Sequence, residues 1–442
     1  MASTYLTKTF SGNGDRQKFT LYMWIKRATL AQSFLFTSGS YGSTSMMQWF
    51  FDSDGTLGMY DYNSSGSVLS QVVTTRKFFD LNAWYHIVFR VDTTQGTAAD
   101  RLRVYVNGVQ ETIFNSSSYP GQNNNYLYSE SITAQYFGSR ADNSSSDFDG
   151  IMSHINMCDG QSYGPDSFGS TDATTGEWKI TTSPSVTYGT NGYFILKDGN
   201  SVTDQSGNTN NFAVSNGTLT QTEDCPSHNF NTKNKLYYQT GDAGVVMANG
   251  NTSVSYSPNS SRSAFGTIAA KDGKYYFECK VTNNSLLVVG IVNLAWSNLN
   301  EPSGYGYHDD ALNFGYNHNG EKTSGGTNTA FGTAPSNSDI IQVAMDLDNS
   351  KLYFGLNGTW QGSGDPTSGS TGTGSAFDLA SGAYYTSACR LRDGTDLSFN
   401  FGNGLFGTTA ISSEGTNASG HGKFEYDVPT GYTALSTKGL NE

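Results

Sequence analysis

Hydrophobic and polar residues alternate with a period of two along much of the chain. In Phe19–Lys26, for example, the side chains of Phe19, Leu21, Met23 and Ile25 share one face. The same alternation occurs in four further segments, Trp84–Val91, Arg101–Val106, Tyr275–Val281 and Leu352–Leu356. Because successive side chains of a β-strand point to opposite faces, this pattern predicts strands that turn one face toward a core.

Turn residues separate these predicted strands at short intervals. The dipeptides Asn107-Gly108 and Asn357-Gly358 directly follow two of the strands and are typical of tight β-hairpins. No window of about ten residues has the spacing of an amphipathic helix. Short strands with turn residues every 8–12 positions or so favour antiparallel sandwiches over strand–helix–strand units. The predicted fold class is therefore all-β, with two antiparallel β-sandwiches in tandem.

The composition supports a folded chain with more than one domain. A length of 442 residues, at about 150 residues per domain, corresponds to two or three domains. Charged residues are only 14% and aromatic residues are 13%, the opposite of a disordered chain. We place the first sandwich at residues 1–220, a linker at 221–235 around Cys225-Pro226, and the second sandwich at 236–442.

The net charge of −13 argues against nucleic-acid binding, because an acidic surface repels the phosphate backbone. The longest apolar run, Leu286–Val292, is far shorter than the roughly 20 residues that a membrane span requires. The N-terminal residues MASTYLTKTFSGNG lack the apolar core of a signal peptide, so we expect no export by a cleaved signal. The four cysteines, whose spacing matches no zinc motif, are predicted to be free thiols: Cys158, Cys225, Cys279 and Cys389.

The first half of the chain resembles the laminin-G and concanavalin A-like lectin and glucanase sandwiches. The motifs that carry this resemblance are Phe19–Lys26 (FTLYMWIK), Trp84–Asp92 (WYHIVFRVD), Arg103–Gly108 (RVYVNG) and Phe148–His154 (FDGIMSH). The second half resembles a SPRY domain. Its motifs are Gly273–Val281 (GKYYFECKV), Val289–Asn293 (VGIVN), Gly304–Tyr307 (GYGY), Asp339–Gly358 (DIIQVAMDLDNSKLYFGLNG) and Leu397–Gly402 (LSFNFG).

This tandem of domains, in an Asn/Ser/Gly-rich chain, is similar to virion structural proteins of tailed phages, especially marine and cyanophage-like ones. The resemblance implies assembly in the host cytoplasm, a place on the virion surface, and homo-oligomers in contact with other virion proteins. It further implies host attachment by a tail-fibre or tail-tip adhesin whose loops bind a host-surface glycan or receptor. No heptads, G-x-y repeats or obvious anchor precede Phe19, which leaves a capsid decoration or head-fibre protein as the alternative.

Catalytic residues for glycan hydrolysis are not evident. A retaining glycosidase needs two carboxyl groups about 5 Å apart, and glucanases of this fold supply them from a Glu-x-Asp-x-x-Glu motif. The one Glu-x-Asp here, Glu425-Tyr426-Asp427, lacks the last glutamate and lies outside the lectin-like half. We therefore expect no enzymatic activity, with a polysaccharide-degrading glycosidase as the less favoured alternative.

Metal and histidine sites are also weak in the sequence. The six histidines are scattered, and His86 lies within a predicted strand, where a structural role is expected. Two acidic segments were tested as calcium loops, Asp52-Ser53-Asp54-Gly55 and Asp147-Phe148-Asp149-Gly150. Neither has the distal glutamate of an EF-hand, so we favour Asp-Gly turns. No cofactor is predicted; the laminin-G resemblance leaves a structural calcium ion near Asp147 and Asp149 as an alternative.

Aromatic residues near predicted turns and loops are the remaining candidates for ligand binding. Tyr60 and Tyr62 share one side of the segment GMYDYN, with Leu57 and Met59 on the other. Trp296 opens a polar loop, and Trp360 follows the Asn357-Gly358 turn. Sugar rings stack on exposed Tyr and Trp faces, so Tyr60, Tyr62, Trp296 and Trp360 are the predicted carbohydrate-binding residues. The alternative is that they simply pack against the core, as most aromatic residues do.

Overall fold

The computed structural model describes residues 4–39, 45–128, 130–131, 133–140, 146–197, 201–236, 244–295 and 311–441. Within these ranges the chain is built of strands and turns, with no α-helix. Short 3₁₀ turns occur at Ala98–Asp100, Pro165–Ser167, Gln361–Ser363, Gly369–Thr371 and Gly439–Asn441. None of the described segments is a helix with the length and hydropathy needed to cross a bilayer. The all-β prediction is confirmed.

The chain divides into two compact units, Met1–Gln221 and Thr222–Glu442. The strands of the first unit are β1 (Tyr5–Lys8), β2 (Lys18–Arg27), β3 (Ser33–Gly39), β4 (Met46–Phe51), β5 (Thr56–Tyr62), β6 (Val68–Lys77), β7 (Trp84–Asp92), β8 (Leu102–Val106), β9 (Val109–Gln110), β10 (Phe114–Ser118), β11 (Gln135–Phe137), β12 (Gly150–Asp159), β13 (Gly169–Thr171), β14 (Trp178–Ile180), β15 (Tyr193–Ile195) and β16 (Ala213–Ser215). Each predicted strand of this half is present, including Phe19–Lys26 inside β2 and Trp84–Val91 inside β7.

The first unit is an antiparallel sandwich of two sheets around one core. Sheet 1A has eight strands in the order β10-β6-β5-β4-β3-β11-β1-β16, and sheet 1B has six in the order β15-β12-β2-β7-β8-β9. A separate pair, β13-β14, completes the unit. The rings of Trp49 from sheet 1A and Phe89 from sheet 1B stack in the core, with centroids 4.0 Å apart. The alternating apolar faces of both sheets are thus buried against each other.

The strands of the second unit are β17 (Val246–Ala248), β18 (Ser253–Tyr256), β19 (Arg262–Ala270), β20 (Lys274–Asn283), β21 (Val288–Asn293), β22 (Asn313–Asn317), β23 (Glu321–Ser324), β24 (Thr327–Ala330), β25 (Ile340–Asp346), β26 (Lys351–Leu356), β27 (Thr359–Trp360), β28 (Phe377–Asp378), β29 (Tyr385–Leu391), β30 (Thr395–Asn400), β31 (Leu405–Phe406), β32 (Thr409–Ala410) and β33 (Thr433–Ala434). The predicted strands Tyr275–Val281 and Leu352–Leu356 lie inside β20 and β26.

The second unit is also a two-sheet sandwich. Sheet 2A follows the path β17-β18-β30-β20-β25-β26-β27, with β28 and β33 attached to it. Sheet 2B has six strands in the order β19-β29-β21-β22-β23-β24, and β31-β32 form a separate hairpin. The core between the sheets contains Phe277 and Cys279 from sheet 2A and Val289 and Cys389 from sheet 2B. All four cysteines are free, and Cys279 is a buried thiol, as predicted.

Both Asn-Gly hairpins form as predicted. Asn107 and Gly108 have φ angles of 51° and 78°, and Asn357 and Gly358 have φ angles of 50° and 82°. Two successive residues with positive φ make the turn that matches the right-handed twist of paired strands. Asparagine and glycine tolerate this conformation best, which explains why these dipeptides identified the turns.

Tyr105 lies on the outer face of sheet 1B, opposite the core-facing Val104 and Val106, as the alternation in Arg101–Val106 predicts, but this face is covered. Tyr105 is 8% exposed and packs in a second apolar cluster with Tyr22, Trp24 and Phe168. Phe168 and Trp178 come from the segment that follows β12, which lies over this face. A strand that is covered on both sides shows no polar face, and β2 (KFTLYMWIKR) is indeed apolar at both sets of positions.

The segment proposed as a linker, 221–235, is packed within the second unit from Thr222 onward. Phe230 and Lys233 are completely buried, and Phe230 pairs with Ser436 while Lys233 pairs with Gly266. The Nζ of Lys233 bonds the Ser387 Oγ at 3.1 Å. Polar composition suggested a linker, but these side chains satisfy their hydrogen bonds inside the sandwich, which composition alone cannot reveal.

Candidate functional site

Tyr60 and Tyr62 lie on the outer face of sheet 1A, on strand β5. Their rings stack with centroids 5.5 Å apart and an interplanar angle of 9°, and both side chains are half-buried. Leu57 and Met59 point to the core from the same strand, as the alternation predicted. The two tyrosines therefore present a pair of parallel rings on the face opposite the core.

The tyrosine pair continues a row of aromatic rings across sheet 1A. Phe50 of β4 stacks on Tyr60 with centroids 5.5 Å apart, and Phe34 of β3 follows at 6.0 Å. The guanidinium of Arg140 lies 5.1 Å from the centre of the Phe34 ring. Phe34 and Phe50 are buried, so they support the row, and Tyr60 and Tyr62 form its accessible part.

Gly58 is required for this row. It lies on the outer face of β5, opposite Phe50 in the strand register. A Cβ atom at Gly58 would lie 2.5 Å from the Phe50 Cζ, so any larger residue would displace that ring. Glycine in a strand interior often marks such a close approach.

Two glutamine amides flank Tyr60 in the strand register. Gln48 of β4 and Gln71 of β6 both pair with Tyr60, so all three side chains share the outer face. Gln48 is 8% exposed, and among the described residues its Oε1 has no hydrogen-bond donor. An unsatisfied buried acceptor costs about 1–3 kcal/mol. Flat rings beside a partly exposed amide, here that of Gln71, are a combination that binds sugar rings and their hydroxyls.

The other two predicted aromatic residues are not part of this row. Trp360 belongs to the second unit, where it pairs with Gly355 and is half-buried against the core. Its ring centroid lies 6.4 Å from that of Tyr276. Trp296 and the GYGY motif lie outside the described residues. The structure therefore gives a site geometry for Tyr60 and Tyr62, and a largely packed environment for Trp360.

Phe34, Phe50, Gln48 and Gly58 were not predicted as site residues. Strand β4 reads MMQWFF, and its single polar residue is Gln48. A single glutamine on the face opposite Trp49 could have indicated a functional residue. It belongs to the site, however, only because Tyr60 is its cross-strand partner. That pairing is a matter of register, which this stretch of sequence does not specify.

His86 has the structural role expected of it. Its Nδ1 accepts a hydrogen bond from the Trp178 Nε1 at 2.9 Å, and its ring stacks between Trp24 and Trp178. Burial lowers the pKa of His86 from 6.5 to about 3. The imidazole is therefore neutral at physiological pH and serves as an acceptor within an apolar layer.

Glu278 is the main buried acid of the second unit. Its carboxylate accepts hydrogen bonds from the Tyr276 hydroxyl, the Asn400 amide and the backbone N–H groups of Glu425 and Tyr426, at 2.9–3.2 Å. Burial nevertheless raises the pKa of Glu278 from 4.5 to about 7, because desolvation outweighs these four bonds. Glu278 thereby attaches the segment around Tyr426 to the outer face of sheet 2A.

The acidic segments have different local structures. Asp54 accepts hydrogen bonds from the N–H and hydroxyl of Thr56 in the turn between β4 and β5, as an Asp-Gly turn should. Asp147 and Asp149 instead lead directly into β12, and neither carboxylate oxygen of Asp147 has a hydrogen-bond partner among the described residues. The described residues contain no group of three or more His, Cys, Asp or Glu that is arranged to hold a metal ion.

The carboxylates of the single Glu-x-Asp motif are both engaged in turns. The Glu425 Oε2 accepts a hydrogen bond from the Ser412 N–H at 2.6 Å. The Asp427 Oδ1 accepts bonds from the Thr416 N–H and hydroxyl at 2.7 and 2.8 Å. Both side chains stabilise the C-terminal segment of the second unit.

Comparison with solved structures gives distant likenesses. The chain is similar to the SPRY domain of human HERC1, with 12% identity over 38% of this chain and 96% of that domain and a TM-score of 0.29. A native heptameric SAP-like pentraxin from Limulus polyphemus matches with 15% identity over 37% of this chain and 72% of its own, at a TM-score of 0.28. A human SPRY domain matches with 15% identity over 35% and 93%, at a TM-score of 0.27.

Comparison of the sequence with family models gives one match within the first unit. No curated protein sequence matches the chain. Residues 2–161 match the laminin-G model of the concanavalin A-like lectin/glucanases superfamily. These residues include all of β1 to β12, and therefore the row from Phe34 to Tyr62. The first unit thus contains a domain similar to the concanavalin A-like lectins and glucanases, as its sequence motifs predicted.

Proposed function

We propose that the protein is a non-enzymatic adhesin whose first unit binds a glycan on the outer face of sheet 1A. The observation that carries this proposal is the stacked pair of Tyr60 and Tyr62, half-buried and opposite the core. Tyr60 is held between Phe50 and Tyr62, so Tyr62, at the end of the stack, loses little conformational freedom when a sugar stacks on it. Gln71, which pairs with Tyr60 and is half-buried on the same face, is placed to bond a sugar hydroxyl.

The proposed location is the surface of a tailed-phage particle, at a tail fibre or tail tip. This part rests on the order of the lectin-like and SPRY-like motifs and on the Asn/Ser/Gly-rich composition. Other virion proteins would hold the chain in place, and the glycan or receptor would be on the host surface. A β-sandwich suits the role because its rigid scaffold tolerates varied loops and surfaces.

The proposal of a non-enzymatic role is supported by the state of the carboxylates. Glu425 and Asp427 accept short hydrogen bonds from turn backbones, which leaves them committed to the fold. Around Tyr60, the neighbours in register on both sides are amides, and a glycosidase would need two carboxyl groups at about 5 Å or more. Amide neighbours of this kind are suited to binding a glycan without hydrolysing it.

The glycan-binding part is tested by screening the full chain on an array of bacterial surface glycans. Tyr60→Ala and Tyr62→Ala are each expected to weaken binding about two- to tenfold, since an aromatic stacking contact contributes about 0.5–1.5 kcal/mol. Tyr384→Ala is the control, because Tyr384 is an exposed tyrosine of the second unit. Equal binding by all three variants would refute the tyrosine site, and release of sugar from a bound glycan would refute the non-enzymatic role.

The location is tested by gold-labelled antibody imaging of particles from a candidate source phage. Label at the tail end, together with a block of adsorption by the purified protein, is the expected result. Label spread over the head would replace the tail position with a capsid decoration or head-fibre role. Particles without label would overturn the assignment to the virion. This outcome would not affect the test of glycan binding on the array.

A further inference from the structure

The second unit has a polar groove on the outer face of sheet 2A, close to its β17 edge. The groove has a volume of about 210 Å³. It is lined by residues of four strands and one turn: Val246, Ala248, Asn249, Ser253, Val254, Ser255, Thr282, Asp396 and Ser398. The C-terminal residues that Glu278 holds lie over another part of this face, and they do not line the groove.

Alternation along the strands explains why the groove is polar. In β18 and β30, Val254 and Leu397 point into the core, so Ser253, Asp396 and Ser398 must face outward. Since Ser253 pairs with Ser398 in register, their hydroxyls meet at 3.0 Å. Small hydroxyl side chains from neighbouring strands thus form the floor of a shallow depression.

The floor carries a connected row of hydrogen-bonding groups. The Asn249 Nδ2 donates to the Ser253 Oγ at 3.0 Å, and the Ser253 Oγ in turn bonds the Ser398 Oγ. Hydroxyl groups both donate and accept, and each has more bonding capacity than this row uses. The row can therefore bond further groups that are themselves both donors and acceptors.

Asp396 has an unusual environment for a carboxylate of this chain. Asp54 and Asp427 accept bonds from nearby backbone and hydroxyl groups, because they lie in or next to turns. Asp396 lies within a strand, is half-buried, and receives no hydrogen bond from the described residues. Burial raises its pKa, with no charged or hydrogen-bonding group to offset the desolvation. Its two oxygens are therefore open to a ligand.

The hairpin β31-β32 lies against the hydroxyl row of the groove. Gly407, with φ of 66°, lies at its turn, and a Cβ atom there would lie 3.2 Å from the Asn249 Nδ2 and 3.3 Å from the Ser253 Oγ. Glycine lets the hairpin approach the hydroxyl row closely. At the strand edge, the side chain of Val246 is 56% exposed and supplies an apolar surface.

We propose that this groove is a second binding site, for a single sugar residue, with Asp396 accepting two neighbouring hydroxyls. Ser398 and Asn249 bond the next hydroxyls, and Val246 packs on the C–H face of the ring. The volume is below the roughly 300–1,000 Å³ of pockets for larger ligands and suits a single sugar ring. This site is distinct from Tyr60 and Tyr62, and it does not depend on the function proposed for them.

The main competing ligand is a basic peptide side chain, which the carboxylate would attract. An ammonium or guanidinium group only donates hydrogen bonds. It would offer no acceptor to the second N–H of the Asn249 amide or to the hydroxyl proton that the serine row leaves over. A polyhydroxyl ligand satisfies both kinds of group, which is why we assign a sugar to the site.

The test uses saturation-transfer NMR on the full chain with four probes: the methyl glycosides of glucose, galactose, mannose and N-acetylglucosamine. At least one is expected to bind with a Kd in the millimolar range, and Asp396→Asn is expected to weaken it tenfold or more. Asp393→Asn is the matched control, because Asp393 is exposed, lies three positions away and has a φ of 54° that asparagine tolerates. It is expected to change the Kd less than twofold.

Two further measurements distinguish a loss of sugar binding at the groove from a loss of folding. Ser398→Ala is expected to weaken binding as well, and the melting temperature of each variant shows whether it has folded. Sugar binding that Tyr60→Ala abolishes and Asp396→Asn leaves intact would overturn the groove site and leave the first unit as the sugar-binding unit. Binding of N-acetyl-argininamide that depends on Asp396, in the absence of sugar binding, would overturn it in favour of a basic peptide.

Discussion

The two units share one architecture, two antiparallel sheets around an apolar core, and differ in their outer faces. Sheet 1A presents aromatic rings, with Tyr60 and Tyr62 stacked above Phe50. Sheet 2A presents hydroxyls and a carboxylate where the C-terminal residues leave it open, at Ser398 and Asp396. The inward positions decide that a sandwich forms, and the outward positions are free to vary with the ligand.

Each unit buries an ionisable group whose charged form is disfavoured by desolvation. The first buries His86, which is neutral and accepts one hydrogen bond from Trp178. The second buries Glu278, which accepts four hydrogen bonds and has its pKa raised to about 7. The pH dependence of stability should therefore have opposite signs for these two groups.

The largest expected effect concerns His86. Its pKa is about 3 in the folded unit and near 6.5 in the unfolded chain, so its contribution is complete above pH 6.5 and is lost as the pH falls toward 3. At about 1.4 kcal/mol per pH unit, the loss amounts to about 3 kcal/mol at pH 4 and to about 5 kcal/mol below pH 3. His86→Gln keeps an acceptor for Trp178 but does not titrate, and should lose less stability in acid than the wild type. Urea unfolding at pH 7.5 and pH 4, followed by tryptophan fluorescence, measures the difference; equal acid losses in both proteins would contradict it.

Glu278 should give the next largest effect, with the opposite sign. Its pKa is about 7 in the folded unit and near 4.5 in the unfolded chain, so its contribution is complete below pH 4.5 and is lost as the pH rises through 7. The contribution of Glu278 to the free energy of unfolding therefore differs by about 3 kcal/mol between the two ends of this pH range. Glu278→Gln should remove this dependence, although it loses some of the four hydrogen bonds at every pH. The free energy of unfolding is measured at pH 4.5 and pH 8 for the wild type and the variant. If both proteins changed by the same amount between these pH values, the prediction would be contradicted.

Gly58→Ala tests whether the aromatic row depends on the close approach of Phe50. The added Cβ would lie 2.5 Å from the Phe50 ring, and such overpacking costs about 1–3 kcal/mol. We expect a lower melting temperature and a changed near-ultraviolet circular dichroism spectrum, together with weaker glycan binding. Gly121→Ala is the control, since a Cβ there meets nothing within 4 Å. A stable variant with an unchanged spectrum would show that the ring moves without cost.

Calcium removal should have the smallest effect. Calcium takes about 6–8 oxygen ligands, and Asp147 supplies one buried carboxylate with no hydrogen-bond partner among the described residues. We expect excess chelator to lower the melting temperature by less than about 2 °C, which corresponds to under about 1 kcal/mol for a unit of this size. A large drop, reversed by calcium and absent in Asp147→Asn, would establish a structural ion at this position.

Local pattern was sufficient to predict the strands and turns. The period-two alternation in β2, β7, β20 and β26 reports which residues face a core, and the Asn-Gly pairs report positive φ angles. Both depend on residues close together in the chain. The lectin-like identity of the first unit followed from motifs of the same local kind, and the family match at residues 2–161 agrees with it.

Contacts between distant residues decided the rest. The burial of Tyr105 depends on Phe168 and its neighbours, and the packing of Lys233 depends on Ser387. The residues around Tyr60 come from three strands that meet only through their register.

The sequence by itself therefore determined an all-β chain of two sandwiches with a lectin-like first half. Only the tertiary structure decided which outward faces are covered and which side chains meet there, such as Ser253 with Ser398. The physical reason is that alternation assigns a residue to a face, whereas its neighbours on that face are set by strand pairing over long sequence separations.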